Sequence, residues 1–421
     1  MRILVVSNLY PPHYVGGYEL RCRQVCEAFR RRGHDVHVLT SNHGLNPGDL
    51  TPNEDRVERT LQLHGFFGHP WLGICRLRQL EFHNNALLRA AATRVKPDVV
   101  HVWNLGGISK SIIFTLARLN IPTVYDVSDH WIARSLKADV WLDWWNRQPA
   151  AMRCRLLRIF WSATGLRKSW NKRAPTNPVR QARFPRLYFC SAGLRNLTAA
   201  TGYPVEHGAI IHCPVDLTRF CGAPVPAERP IKNWLYVGRL AEDKGVLTLL
   251  KALQQAGKRF RGELHIYGKG ATDYTKNLQA FVTEYQLPVR FASASADEMP
   301  AVYRAHDALL FTSEWEEPFA LTPLEAMASG LPVIGTTTGG SKELLRHREN
   351  ALTYNAGNSA ELAQRILELQ DDSLLRARLA ICGQHEVSRF AEPVILDQIE
   401  AYLEESIHTW KPVPSPHYNA P

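Results

Sequence analysis

Two glutamates eight residues apart have the spacing in this chain that most directly suggests ligand binding. Glu317 lies in a loop after an apolar run, and Glu325 lies in a stretch that reads as a helix from Thr322 on, with Pro323 suited to its first turn. Such a pair can bind two separated sets of hydroxyl groups on one extended ligand. Glu325 alone would equally suit a helix cap or a surface position.

The start of this predicted helix is also suited to an anion. Backbone N–H groups in the first turn have no partner within a helix, and the helix dipole favours negative charge there. We therefore expect a phosphate group to accept hydrogen bonds from the main-chain amides of Phe319, Ala320 and Leu321.

Two basic residues follow another apolar run, Trp234 to Val237. Arg239 and Lys244 lie in the loop that comes next, between Gly238 and Gly245. A guanidinium can donate two parallel hydrogen bonds to phosphate oxygens and an ammonium acts as a point charge, so the two could neutralise a diphosphate. Two solvated cations in an exposed loop are an equally good interpretation.

A glycine pair follows the first apolar segment, which runs from Arg2 to Asn8. Gly16 and Gly17 would let the backbone approach a ligand closely and would leave N–H groups pointing at an anion where the next helix begins. The pattern is not GxGxxG, so dinucleotide binding is disfavoured. A simple tight turn would explain these glycines as well.

Short apolar runs alternate with helical stretches in both halves of the chain, which predicts repeated strand–helix–strand units. The clearest predicted strands are 2–8, 36–39, 98–102 and 122–126, and then 234–237, 264–267, 308–311 and 332–335. The fold class is therefore α/β, with two Rossmann-like domains at 1–215 and 216–390. We expect a final helix at 391–410 that packs back toward the first domain, and a disordered proline-rich tail at 411–421.

The composition is that of a globular protein, with 45% hydrophobic and 21% charged residues among 421. No apolar run reaches the roughly 18 residues that a bilayer crossing needs, and the N-terminal run is too short for a signal peptide. The eight cysteines contain no CxxC pair, and no zinc-ligand spacing accompanies Cys22 and Cys26, which favours buried thiols at these two positions and a reducing cytoplasm.

Four ordered motifs resemble those of the retaining glycosyltransferases of family 4, which have the GT-B fold. They are the Gly-Gly loop, the segment from Val237 to Gly245, the E-x7-E segment that ends at Glu325, and Thr338-Gly339-Gly340 followed by Glu343. The resemblance covers nearly the whole chain. It implies two Rossmann-like domains that face each other across a cleft, an acceptor bound by the first and a nucleotide-sugar bound by the second.

The resemblance also implies a role for each matching residue of the donor site. Gly16 and Gly17 would contact the donor diphosphate or the acceptor, and Arg239 and Lys244 would neutralise the departing diphosphate. Glu317 would bind hydroxyls of the transferred sugar. Glu325 would bind the ribose hydroxyls, and the amides of Phe319, Ala320 and Leu321 would bind phosphate. Neither a cofactor nor a metal is expected, since no DxD sequence follows a strand.

The sequence departs from the family pattern near the predicted acceptor side. Many relatives carry a histidine within a His-Asp-x-Trp run, whereas this chain has Ser128 at the matching place, followed by Asp129, His130 and Trp131. Asp129 and His130 are therefore the candidate catalytic groups on this side, together with Glu317. His130 could also be an ordinary loop histidine.

The formal charge of +10 is concentrated in the middle of the chain, where residues 144–205 contain twelve Lys or Arg and no Asp or Glu. Six of the eleven tryptophans lie within 131–170. This mixture suits the interface of an anionic membrane, which predicts a peripheral surface through 131–195 at the inner face of the cytoplasmic membrane. A solvated basic face, an acceptor groove or a tryptophan-filled core are the alternatives. No nucleic-acid partner is expected.

The predicted function is transfer of a sugar, with retention of configuration, from a nucleotide-sugar to a saccharide or lipid-linked acceptor in cell-surface polysaccharide or glycoconjugate synthesis. A catalytically silent sugar-nucleotide-binding partner in a glycan assembly complex is the alternative that Ser128 favours. A GT-B epimerase or phosphorylase is a third, although no segment matches the pyridoxal-phosphate lysine of such phosphorylases.

Overall fold

The computed structural model describes residues 1–45, 56–136, 139–148 and 151–411. Contacts divide the chain into two compact units. One is Met1–Ile211 together with the segment from Gln398 on, and the other is His212–Asp397. The predicted tail spans 411–421, and its residues 412–421 lie outside the described part of the chain.

The N-terminal unit alternates strands and helices along the chain. Its strands are β1 (Arg2–Val6), β2 (Asp35–Ser41), β3 (Val57–Leu61), β4 (Val99–Val102), β5 (Thr123–Val127), β6 (Leu187–Phe189) and β7 (Ala209–Ile210). Its helices are α1 (Gly17–Arg31), α2 (Ile74–Val95), α3 (Ser111–Leu119), α4 (Val140–Asn146), α5 (Met152–Ala163), α6 (Leu166–Arg173) and α7 (Ala192–Ala200).

These strands form one parallel sheet in the order β3-β2-β1-β4-β5-β6-β7. Its central strands β4 and β5 are buried along their whole length, as strands covered on both faces are, although they include the polar residues His101, Thr123 and Asp126. The connection from β5 to its neighbour β6 is unusually long, because it contains α4, α5 and α6.

The C-terminal unit repeats the same alternation. Its strands are β8 (Asn233–Val237), β9 (Glu263–Tyr267), β10 (Val289–Ala292), β11 (Ala308–Phe311), β12 (Val333–Thr336) and β13 (Leu352–Tyr354). The helices that follow are α8 (Val246–Ala256), α9 (Thr272–Glu284), α10 (Met299–Arg304), α11 (Leu321–Ala328), α12 (Ser359–Asp371), α13 (Ser373–Glu386) and α14 (Glu392–His408).

The second parallel sheet has the order β10-β9-β8-β11-β12-β13. Trp234, Leu264, Leu310 and Ile334, one from each of four strands, are fully buried in a single core with the apolar side of α8. Both sheets are therefore of the Rossmann type that the alternation of apolar runs predicts.

The segment after Ile211 belongs to the C-terminal unit, four residues earlier than the predicted boundary at 215. Backbone pairing explains the difference. The amide of Val215 donates to the carbonyl of Phe390 at 2.9 Å, and the amide of Glu392 donates to the carbonyl of Val215 at 2.9 Å. Further along, Arg376 donates to the carbonyls of Ala227 and Arg229 at 3.0 Å each, so the proline-rich segment is packed along this unit.

The last helix, α14, begins in the C-terminal unit, and its residues from Gln398 on belong to the N-terminal unit. Tyr402 donates its hydroxyl hydrogen bond to the carbonyl of Leu187 in β6 at 2.9 Å, and Glu400 contacts the ring of His34 at 2.6 Å. These contacts hold the C-terminal part of α14 against the N-terminal unit.

Among the described residues, no helix combines the length and the hydrophobicity that a bilayer crossing requires. No disulfide joins the eight cysteines, all of which lie in described segments. Cys22 and Cys26 are buried as the sequence predicts, whereas Cys75 and Cys221 are exposed.

Candidate functional site

Three loops of the C-terminal unit meet at one edge of its sheet. They leave β8, β11 and β12, which are neighbours in the sheet and parallel. The carboxyl ends of parallel strands lie at the same edge, where ligands bind in open α/β sheets. This topology brings Lys244 and Glu317, 73 residues apart in sequence, into direct contact.

The Lys244 ammonium and the Glu317 carboxylate form an ion pair with 2.6 Å between Nζ and Oε1. Their side chains are 16% and 12% exposed, so the pair is mostly shielded from water. The hydroxyl of Ser313, at the end of β11, donates to the same Oε1 atom at 2.6 Å. The sequence reasoning missed Ser313, although its place directly after a buried strand was a usable signal.

Two glycines make this approach possible. Gly245 has φ +65°, and a Cβ there would lie 2.0 Å from the carbonyl oxygen of Thr312. Gly339 has φ +56°, and a Cβ there would lie 2.4 Å from the carbonyl oxygen of Glu317. The amide of Gly340 donates to that carbonyl at 2.6 Å, so the backbone on both sides of Glu317 is held by its neighbours.

Arg239 is the most exposed of the predicted donor residues. Its guanidinium is 59% exposed and lies 3.7 Å from the carboxylate of Asp243, a contact that water screens strongly. Its backbone is better fixed, since the hydroxyl of Tyr236 donates to the carbonyl of Arg239 at 3.1 Å. The guanidinium can therefore turn toward an anion while the loop stays in place.

Glu325 lies on α11, which begins at Leu321, one residue before the predicted start. The hydroxyl of Tyr303 donates to Oε2 of Glu325 at 2.8 Å. Burial raises the pKa of the Glu325 carboxyl to about 7, and the Tyr303 hydrogen bond offsets part of the rise. Phe319 and Ala320 are buried. They directly precede Leu321, the first residue of α11, so the amides at 319–321 lie at the N-terminal end of this helix.

The glycine pair of the N-terminal unit is placed as predicted, but the amide of Gly16 already has a partner. Gly17 begins α1, and the N–H of Gly16 donates to Oε2 of Glu19 at 2.9 Å. Burial raises the pKa of the Glu19 carboxyl. An anion at this amide would have to displace Glu19. The glycine–x–x–glutamate spacing was a usable sign of this capping contact.

Ser128 belongs to a buried ionic network. Arg21 donates to Oδ2 of Asp126 at 2.6 Å, and the two side chains are 4% and 0% exposed. The Ser128 hydroxyl donates to Oδ1 of Asp126 at 2.6 Å and accepts a hydrogen bond from Arg21. Ser128 therefore completes an ion pair in the interior, where the family pattern has histidine. Sequence reasoning missed both members of this pair.

Asp129 and His130 follow directly. The Asp129 carboxyl accepts from Asn104 at 2.6 Å and from the amide of Trp131 at 2.7 Å. Burial raises the pKa of Asp129 to about 7, although both hydrogen bonds lower it. The His130 ring is buried, with 7% exposed, so the interpretation of an ordinary exposed loop histidine is wrong. A carboxyl that titrates near neutral pH can hold or move a proton.

Two protein-family models match the chain. "Glycosyltransferase Family 4" matches residues 15–219, and "Glycosyl transferases group 1" matches residues 231–372. Together they extend over every strand of the two sheets except β1.

Curated relatives agree with these matches. An uncharacterized glycosyltransferase of Methanocaldococcus jannaschii is 24% identical over 390 residues, 86% of this chain and 87% of the relative. The glycogen synthase of Mycobacterium tuberculosis is 25% identical over 416 residues, 92% of this chain and 90% of the relative. The lipopolysaccharide core biosynthesis glycosyltransferase LpsE of Rhizobium meliloti is 32% identical over 183 residues, 42% of this chain and 50% of the relative.

Solved structures share the fold. Anabaena HepE in complex with UDP aligns with a TM-score of 0.68 at 21% identity, covering 96% of this chain and 100% of that one. The sucrose-phosphate synthase of Thermosynechococcus elongatus aligns with a TM-score of 0.68 at 20% identity, covering 96% and 98%.

The Arg21–Asp126 pair yields a stability prediction. Asp126→Asn should lower the free energy of unfolding by about 3–5 kcal/mol, because it leaves the Arg21 charge buried without its counter-ion. Asp143→Asn is the matched control, since Asp143 pairs with Arg147 at 3.5 Å on the surface and should cost less than about 1 kcal/mol. Urea denaturation measures both. If both variants lowered the free energy of unfolding by the same amount, Asp126 would not be the buried counter-ion of Arg21.

The raised pKa of Glu325 predicts a pH-dependent stability. The carboxyl has its ordinary pKa of 4.5 in the unfolded chain and about 7 in the folded one, so the folded state loses stability as pH rises between these values. Glu325→Gln cannot ionise. Its free energy of unfolding should match that of the wild type near about pH 4 and exceed it by about 2–3 kcal/mol near about pH 8. If the difference in free energy of unfolding between the two proteins were constant from acid to alkaline pH, the folded state would not raise the pKa of Glu325.

Proposed function

This chain belongs to the family 4 glycosyltransferases of the GT-B fold, and we propose that it transfers a sugar from a nucleotide-sugar donor to a saccharide or lipid-linked acceptor with retention of anomeric configuration. The observation that carries the proposal is the shielded contact of Lys244 with Glu317 beside the start of α11. It places a cation, a carboxylate and a helix N-terminus at the carboxyl edge of one sheet.

In the proposed donor complex, the diphosphate lies against the amides at 319–321 and is neutralised by Arg239 and Lys244. Glu317 accepts hydrogen bonds from hydroxyls of the sugar. Glu325 accepts hydrogen bonds from the ribose hydroxyls, most strongly when it is ionised. Glycogen synthase and LpsE among the relatives support glycosyl transfer, and HepE, solved with UDP, supports a nucleoside diphosphate group in the donor.

In the proposed transfer step, an acceptor hydroxyl attacks the anomeric carbon on the face that the diphosphate leaves. The bond from that carbon to the phosphate oxygen breaks, and the hydroxyl proton passes to the departing phosphate. Negative charge therefore grows on the diphosphate, where Arg239 and Lys244 stabilise it without a metal ion. Asp129 and His130 are proposed to orient the acceptor.

A catalytically silent nucleotide-sugar-binding protein is the second candidate. Ser128 favours it, because this side chain is committed to the Arg21–Asp126 pair. Slow release of nucleoside diphosphate from a donor in the absence of acceptor separates the two functions, since only an active transferase passes the sugar to water.

The donor site is tested by thermal shift across a panel of UDP- and GDP-sugars. At least one should raise the melting temperature, because a ligand that binds only the folded state stabilises it. Lys244→Ala and Glu325→Ala should each remove that rise. Lys251→Ala, an exposed lysine on α8 of the same unit, is the control that should keep it. If both site variants retain the full shift, the donor does not bind here.

Donor affinity should also depend on pH. An ionised Glu325 accepts stronger hydrogen bonds from the ribose hydroxyls than its protonated form does, so the dissociation constant should rise as pH falls below about 7. Titration calorimetry from pH 6 to 8 in wild type and Glu325→Gln measures this. The same pH dependence in both proteins would exclude the ribose contact.

A further inference from the structure

Helix α5 carries an apolar stripe that the protein leaves in solvent. Met152, Leu156, Ile159 and Phe160 are 75%, 60%, 57% and 58% exposed. Their spacing places them on one face of the helix. Neither α5 nor the following α6 contains a buried residue. A contiguous exposed apolar face of this kind marks an interaction surface.

Arginines border this stripe. At about 100° per residue, Arg153 and Arg155 fall on its two opposite sides, and both are exposed. The surrounding segment, 144–205, has twelve basic residues and no acidic one. An apolar stripe between cations is the pattern of a helix that lies in the plane of an anionic membrane interface.

Five of the six tryptophans within 131–170 pack against one another and do not belong to the exposed stripe. Trp141 and Trp145 are buried, and the Trp161 ring lies 4.9 Å from that of Trp170 and 5.1 Å from that of Trp144. These rings form one cluster beneath α5 and α6. The cluster joins the two helices. The apolar stripe of α5 lies outside the cluster, on the solvent side.

Cations fasten α6, which holds α5 through the Trp161–Trp170 contact, to α2. The Arg78 guanidinium lies 4.6 Å from the ring centre of Trp170, and that of Arg173 lies 4.3 Å from the ring centre of Phe82. Arg89 donates to the carbonyls of Lys172 and Arg173, at the end of α6. The exposed stripe is thus part of a fixed surface of the N-terminal unit.

We propose that the face of α5 formed by Met152, Leu156, Ile159 and Phe160, with Arg153 and Arg155 at its borders, docks this protein on an anionic lipid bilayer. The side chains enter the headgroup region and the arginines meet lipid phosphates. A second copy of this chain is disfavoured as the occupant, because pairing the face with itself would bring two sets of cations together. The proposal does not depend on the donor chemistry.

The full chain is tested by flotation with phosphatidylcholine vesicles, with and without about 30 mol% phosphatidylglycerol. Binding should need the anionic lipid and should weaken between about 0.05 M and about 0.5 M NaCl. Ile159→Glu with Phe160→Glu should reduce the partition coefficient about tenfold or more, since carboxylates would enter the interface. Arg153→Gln with Arg155→Gln should reduce it severalfold at low salt only.

Leu374→Glu with Ile381→Glu is the matched control, because these α13 side chains are 76% and 57% exposed in the other unit. It should bind vesicles as the wild type does. Equal binding to neutral vesicles, or full binding by both α5 variants, would overturn the proposal. If the wild type were a dimer and the Ile159→Glu, Phe160→Glu variant a monomer, the face would instead serve self-association. Circular dichroism checks that each variant is folded.

Discussion

The C-terminal site depends on how closely three backbone segments approach one another at the edge of the sheet. Side chains at Gly245 and Gly339 would collide with the carbonyls of Thr312 and Glu317, and both glycines have positive φ. Because only glycine meets both demands without strain, the loops after β8, β11 and β12 can lie in contact. That contact is what shields the Lys244–Glu317 pair from water.

Four largely shielded carboxyl groups, two in each unit, fall into two kinds. Asp126 and Glu317 each have a cation within 2.6 Å, which offsets the cost of removing a charge from water. Asp129 and Glu325 accept hydrogen bonds only from neutral groups among their described hydrogen-bond donors, and burial raises the pKa of each to about 7. The ion-paired carboxylates of Asp126 and Glu317 each stabilise their own surroundings, whereas the carboxyl groups of Asp129 and Glu325 can change protonation near neutral pH.

The N-terminal unit shows how a sheet can carry a surface that the fold itself does not require. Adjacent parallel strands β5 and β6 need only one crossover, yet this connection also holds α4, α5 and α6. The added helices are anchored by a cluster of packed tryptophan rings and by arginines over aromatic rings. Anchoring on one side frees the other side of α5 to expose apolar residues.

Local sequence determined eight of the thirteen strands in the described residues, the alternation with helices and the position of the chemically active loops. Apolar runs and their period are set by neighbours a few residues apart, so the E-x7-E segment and the loop from Gly238 to Gly245 could be identified directly. Tertiary structure decided which groups pair. Ser128 bonds to Arg21, 107 residues away, and Glu325 to Tyr303, 22 residues away. It also decided that the tryptophans pack inward and the α5 stripe outward, because an amphipathic pattern shows two faces and only packing selects the buried one.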